Sequence, residues 1–427
     1  MWQEEVRKNV RYNFAVNIID AAFYGIGALG LASFVTIIPL FLNELNAPTA
    51  LIGLIGSFHA IGWQLPQLFT ASRVTRMRRY KPFVMWATLH ERWPFIGLAI
   101  ISFMLPTLGN QVAMPLTVLM VIIFSLGGGF AGTAWQSMIG KIMPKDRIGT
   151  FYGTQSGMAN LFGAGSAIAA GFILERLGFP NGYTICFVIG AVALFISMGF
   201  LGSTREPEHE LEVVPEKANL GWNKMLAILR EDRNFRWFLL ARMVSQFGIV
   251  ALSFYTIYAV KHFGLAEQTA GVLTGVLLLS KTVAGPLLGW VGDRWGHRSV
   301  LVAGAVIMSA AAGLALVAPG IGWFYIIFAL SGFADATLWT VTISFTQNFG
   351  TISEKPLYIG LANTLTGPIT LLAPAIGGLL ADGIGFGSTF TMSVMAGLAA
   401  AYLLQYVVRD PNSMAQTSGQ PVVAVGD

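Results

Sequence analysis

The chain has 427 residues, of which 55% are apolar and 11% charged, and a formal net charge of +5. A soluble globular domain carries about 25% charged residues, so this composition excludes one. The single cysteine, Cys186, excludes an intrachain disulfide framework and reads as a packing residue.

In chain order, twelve apolar runs lie near 14–42, 50–71, 83–105, 113–140, 151–174, 183–202, 237–261, 267–291, 299–318, 322–348, 357–381 and 389–408. Each is long enough for a helix across a bilayer, which takes roughly 20 residues. Short alternating strands are lacking, so the expected class is an all-α integral membrane protein and not a β-barrel. Met1–Asn13 is polar and the first run is too long for a signal peptide's apolar region, so no cleavable signal is expected. Runs two and eight hold Pro66 and Pro286, where kinks are expected. The loops set the orientation. With the N-terminus inside, 21 of the 26 lysines and arginines fall on the inner side, against Arg176 and Lys261 outside. Both termini are therefore expected in the cytoplasm and the protein in the cytoplasmic (inner) membrane. The basic loop Arg73, Arg76, Arg78, Arg79 and Lys81 suits anionic lipid headgroups, and the pI of about 9.3 reports topology rather than nucleic-acid binding.

The runs repeat. Phe130-Ala-Gly-Thr-Ala-Trp135 and Tyr152-Gly153 match Phe333-Ala-Asp335-Ala-Thr-Leu-Trp339 and Tyr358-Ile-Gly360. Ala167–Gly171 with Leu177-Gly178-Phe179 matches Ala375–Gly378 with Ile384-Gly385-Phe386, all at offsets of 203–208 residues. Asn13-Phe14 and Asn234-Phe235 likewise precede runs one and seven. The expected organisation is two pseudo-symmetric six-helix bundles, 1–203 and 237–410. A polar linker, 204–236, holds an amphipathic helix near Trp222–Leu229, and 411–427 is expected to be a disordered tail.

Between runs eight and nine stands Gly289-Trp-Val-Gly-Asp293-Arg294-Trp-Gly296-His-Arg298. This string resembles the signature loop of the major facilitator superfamily of secondary transporters. The resemblance implies twelve transmembrane helices, a cavity lined by helices one, four, seven and ten, and a solute bound near the midplane between the halves. Gly289, Asp293, Arg294, Gly296 and Arg298 would then serve as a conformational latch. The first-half counterpart, Gln67–Arg78, keeps arginines but lacks the glycines and the acid, so an acidic latch is expected only in the second half. Run five has glycines but no proline, which departs from the glycine-proline pattern of drug exporters.

Eight ionisable side chains fall inside the runs: Asp20, His59, His90, Glu91, Arg92, Arg242, Lys281 and Asp335. An unpaired charge there costs at least ~2.5–3.5 kcal/mol, so such groups face a cavity or a partner. Helical spacing gathers Asn13, Asn17, Asp20 and Tyr24 in run one, and Asp335, Trp339, Thr342 and Thr346 in run ten. It also gathers Gly56, His59, Trp63 and Gln67 in run two, and Arg242, Gln246 and Ser253 in run seven. These stripes are expected to be wet and to line a path. Asp335 is the first choice for a proton-coupling carboxylate, with Asp20 and Glu91 beside it. Lys281, Arg242, Arg92, His59, Trp339, Gln136 and Trp135 are the candidate substrate contacts. By depth, Asp20 is expected to pair with Arg242 as a cytoplasmic gate, and Lys281 with Asp335. At most two members of the consecutive triplet His90-Glu91-Arg92 can face one cavity. Static ion pairs and packing roles remain the plain alternatives for all of these.

The expected function is proton-coupled secondary transport of a small organic solute by alternating access. Efflux of amphipathic compounds is the leading form, and import of an anionic or sugar-like metabolite is the alternative. A non-transporting membrane scaffold is the competing class. No phosphate-binding glycine loop or metal-ligand cluster occurs, so neither an ATP-driven pump nor an enzyme is expected, and no cofactor. The expected partners are a small solute, protons and the lipid bilayer, with no nucleic acid, and the expected state is a monomer.

Overall fold

The computed structural model describes residues 2–34, 36–208, 222–264 and 267–411. The expected linker is described only at its two ends, and most of the expected tail lies outside the described residues. In order, the helices are α1 (Trp2–Tyr24, continued by a π-turn Gly25–Leu31), α2 (Ile37–Glu44), α3 (Thr49–Gln64), α4 (Pro66–Val74), α5 (Lys81–Arg92), α6 (Pro94–Phe103) and α7 (Leu105–Leu108). There follow α8 (Asn110–Ile142), α9 (Ile148–Leu177), α10 (Asn181–Gly202), α11 (Trp222–Glu231), α12 (Arg233–Gly248) and α13 (Leu252–Phe263). The remainder are α14 (Glu267–Trp295), α15 (His297–Val317), α16 (Gly322–Ala336), α17 (Thr342–Thr346), α18 (Lys355–Gly383) and α19 (Phe386–Tyr402, extended by a π-turn Leu403–Val407).

Among the described residues, ten helical stretches are long and apolar enough to cross a membrane. Runs two and three are the other two of the expected twelve, and both are interrupted. Pro66 opens α4 directly after α3, and Pro94 opens α6 directly after α5. Proline has no N–H to donate to the preceding turn, and its ring crowds that turn's carbonyl. Pro286, by contrast, lies inside the continuous α14. Run one is shorter than expected: its helix closes at Leu31, and α2 is a separate helix.

The chain divides into two compact units. Unit 1 comprises 1–143, 158–213 and 359–367, and unit 2 comprises 144–157, 214–358 and 368–427. In unit 1, glycines let backbones touch. A Cβ on Gly25 would stand 2.2 Å from the Ala159 carbonyl oxygen, and one on Gly127 would stand 2.5 Å from the Glu91 nitrogen. Small residues at such crossings allow close packing, which matters where lipid supplies no hydrophobic drive between helices. Phe41, Phe187, Tyr183 and Phe124 fill the core of this unit. In unit 2 the counterpart core is Tyr255, Phe324, Phe328 and Phe390.

The repeat is realised as a pair of matching clamps. In unit 1, Asn13 donates to the Arg205 carbonyl at 2.9 Å and accepts from the Arg205 N–H at 2.8 Å. In unit 2, Asn234 makes the same two bonds with Arg409, both 2.8 Å. An acid follows each arginine. Glu206 accepts from the N–H groups of Tyr80 and Lys81 at 2.9 and 2.7 Å, capping α5 where a helix N-terminus favours negative charge. Asp410 Oδ2 lies 3.6 Å from where a Cβ on Gly296 would stand, beside the start of α15. Glu206 is also held by Lys141 at 2.8 Å, a fully enclosed ion pair. Burial, with Glu206 adding to it, raises the pKa of the neighbouring Tyr80 hydroxyl.

Candidate functional site

Unit 1 joins Asp20, Glu91 and Arg92 in one buried network, apart from the Lys141–Glu206 pair. Asp20 Oδ1 accepts from Ser197 Oγ at 2.5 Å and lies 3.7 Å from Arg92 Nη2. Arg92 donates to Glu91 at 3.1 Å, to Ser197 at 3.1 Å and to the Leu194 carbonyl at 3.0 Å. Tyr24 donates to the other Glu91 oxygen at 3.0 Å. The partner of Asp20 is thus Arg92, which corrects the expected pairing with Arg242. Depth along the helices favours Arg242, but α10 packs against both α1 and α5, and Ser197 and Arg92 meet at the carboxylate.

The same packing corrects the reading of the run-one stripe as a wet path. Asn13 and Asn17 are fully buried, bonded to Arg205 and Thr204 at the end of α10. As spacing required, only two members of the triplet point inward. His90 turns outward and bonds the Trp86 carbonyl at 2.8 Å. His59 takes the packing alternative: it stacks on Phe34 with ring centroids 4.2 Å apart, and Nδ1 lies 3.3 Å from Ser125 Oγ. Trp135 is half-buried and Gln136 fully enclosed on α8. Gln67, from the run-two stripe, is buried and accepts from Asn363 at 2.6 Å.

Unit 2 is more open. Lys281 on α14 and Asp335 on α16 form the expected ion pair, with side chains 26% and 29% exposed. One turn on, Trp339 is 51% exposed within a π-turn, Thr337–Val341, an irregularity often found at functional sites. Thr342 and Thr346 of the same stripe are buried. On α12, Arg242 is half-buried one turn from Gln246, which accepts from Thr370 at 3.3 Å.

The signature loop is also within unit 2, with the first turns of α9. Gly296 alone joins α14 to α15, at φ +90°, a conformation that favours glycine. The Asp293 carboxylate accepts from the N–H groups of Gly149 and Thr150 at 2.8 and 2.6 Å, and from the Thr150 hydroxyl at 2.6 Å. It therefore caps α9 from another helix. Glycines permit the approach: a Cβ on Gly289 would stand 2.1 Å from the Gly149 oxygen, and one on Gly153 would stand 2.0 Å from the Gly285 oxygen. Arg298 donates to the Val408 carbonyl at 3.0 Å, and Arg294 lies over the Trp290 ring at 4.7 Å. The acid, two glycines and one arginine of the string thus each hold a neighbouring element.

A family model described as Major Facilitator Superfamily matches residues 21–266 and 238–424, nearly the whole chain. The chain belongs to the Major Facilitator Superfamily. It is a multi-pass membrane protein of that fold. Its fold is similar to that of the E. coli fucose:proton symporter FucP, with a TM-score of 0.77 at 14% identity over 93% of this chain and 99% of that one. A bacterial homologue of the iron transporter ferroportin aligns with a TM-score of 0.73 at 14% identity over 92% and 98%. In sequence, this superfamily member is similar to the probable nitrate transporter NarT of Staphylococcus aureus, 26% identical over 219 residues. That match covers 51% of this chain and 53% of NarT, so the chain spans about half the length of the curated relatives it matches.

Sequence reasoning missed Ser197, Glu206 and His297. Ser197 sits in an apolar run without a periodic signal. Glu206 was legible in principle, because Arg205-Glu206-Pro207 repeats as Arg409-Asp410-Pro411.

Proposed function

We propose that this protein is a proton-coupled secondary transporter that takes up a small anion across the cytoplasmic membrane, with both termini in the cytoplasm. The partly exposed Lys281–Asp335 pair carries the reading. A charged side chain at bilayer depth is stable only against water, a partner or both, so a partly exposed pair marks a hydrated surface. The balance of charge within the apolar runs supports an anion. Inside unit 1 two acids, Asp20 and Glu91, share Arg92. Inside unit 2 two bases, Arg242 and Lys281, stand against one acid, Asp335. When Asp335 takes up a proton it no longer neutralises Lys281, and the ammonium becomes available to the anion; loss of the proton restores the pair and expels the solute. The name of the sequence relatives, probable nitrate transporter, agrees in charge.

The test is uptake of nitrate and other small anions into proteoliposomes under an imposed pH gradient. Asp335→Asn should uncouple transport from protons while anion exchange persists, and Lys281→Ala should lower anion affinity at least tenfold. Wild-type flux indifferent to the gradient, or full transport by both variants, refutes the assignment. A second reading, efflux of amphipathic compounds, rests on Trp339, an exposed aromatic face beside an acid. Cation-driven quenching that survives Lys281→Ala would favour it.

A further inference from the structure

We infer that His297 is a positioning residue of the latch, and that its protonation sets how firmly Asp293 caps α9, tying this contact to pH on the side that bears the loop. The imidazole is 5% exposed at the first position of α15, directly after Gly296. Its Nε2 forms no hydrogen bond and lies 3.3 Å from Asp293 Oδ1, the oxygen that also accepts from the Gly149 N–H. Backbone crowds the ring into this place: a Cβ on Gly149 would stand 2.6 Å from Nε2, and one on Gly292 would stand 2.9 Å from Cδ2. The ring is therefore packed against the bare backbone of both glycines.

Imidazole is the side chain that ordinarily changes charge between about pH 5 and 8. When protonated, it donates a charge-assisted bond to Asp293 and holds the carboxylate under the α9 N-terminus. When neutral, it carries no charge to attract the carboxylate, and the cap is held less firmly. The other charged groups around it do not substitute. Arg298 on the same helix is directed to the Val408 carbonyl, and Arg294 on α14 is stacked on Trp290. The face of α9 nearest the ring, Gly149 and Thr150, is uncharged, with Arg147 just before it. Asp410 lies beside Gly296, the residue before the ring. Since α9 comes from the first half of the sequence and α14 from the second, firmness of this cap becomes a rate lever on alternating access. That consequence rests on the transport reading, but the cap itself does not.

The test is amide hydrogen exchange of the segment 148–153 in the detergent-purified full chain, from about pH 5.5 to 8.5 and corrected for the intrinsic rate. Wild-type protection should fall roughly tenfold across the range, the size of one charge-assisted contact. His297→Gln should be low and flat, His297→Arg high and flat, and Asp293→Asn unprotected throughout. A flat wild-type profile, a slope retained in His297→Gln, or full protection in Asp293→Asn overturns the inference. No transported solute enters this measurement, so its failure and that of the transport proposal are read separately.

Discussion

Arg92 shows what one residue does when it is the sole base between two buried acids. It donates to Glu91, Ser197 and a backbone carbonyl and faces Asp20. Removing one partner of a buried charge group costs far more than the pair is worth, because the charge left behind is uncompensated. Arg92→Gln is therefore expected to destabilise the protein by about 3–5 kcal/mol in detergent unfolding, and adding Asp20→Asn should recover part of that loss. Equal stability of Arg92→Gln and wild type would show that the network is neutralised in some other way. Lys281 and Asp335 differ in kind. Their partial exposure makes breaking them cheap for stability, so the effect of substitution should fall on transport.

Among the elements, the contact of α9 with α14 is the most demanding. Gly149, Gly153, Gly285 and Gly289 place backbone against backbone with no room for a Cβ. The obstructing atoms are main-chain oxygens, so a methyl group cannot be accommodated by turning a side chain. Gly153→Ala should part the helices, cost roughly 1–3 kcal/mol and loosen the Asp293 cap. On the same α9, Gly165 meets nothing within 4 Å, and Gly165→Ala should be neutral or slightly stabilising because it improves helix propensity. The two variants, compared by melting temperature and by exchange at 148–153, separate steric exclusion from the general effect of losing a glycine. Similar behaviour of the two would rule out the packing account. Runs two and three carry the complementary lesson, that a proline at the wrong depth divides one span into two helices.

At the scale of the whole molecule, the same clamp occurs in each unit in two different settings. Asn13 is fully buried, whereas the bonds of Asn234 are exposed to solvent. Part-buried hydrogen bonds lost around the buried Asn13 leave poorly satisfied backbone groups, at about 1–3 kcal/mol for each, while water can replace the exposed ones. Asn13→Ala should accordingly lower the melting temperature well beyond Asn234→Ala, although both remove the same pair of bonds. Equal effects would mean that burial does not set the cost. The carboxylate after each arginine follows the same asymmetry. Glu206 is enclosed with Lys141, and Asp410 stands beside the only glycine joining α14 to α15.

The sequence by itself determined the class, the twelve apolar runs, the repeat and the signature loop. Each is written in local composition or spacing: apolar length matches bilayer thickness, and a glycine-acid-arginine string is readable without any partner. It also placed Lys281 and Asp335 at one depth, and the structure joins them. What faces a given stripe depends on helices distant in the chain, and only the tertiary structure decided that. Asn13, Asn17 and Asp20 have the spacing of a wet face, yet α10 and α5 cover them, because Ser197, Thr204 and Arg92 satisfy the same polar atoms that water would. The choice of Arg92 over Arg242, the cap on α9 and the contact of His297 with Asp293 are likewise meetings of residues far apart in sequence or across a turn. Periodicity orients a side chain about its own helix axis but carries no information on which neighbour fills that direction.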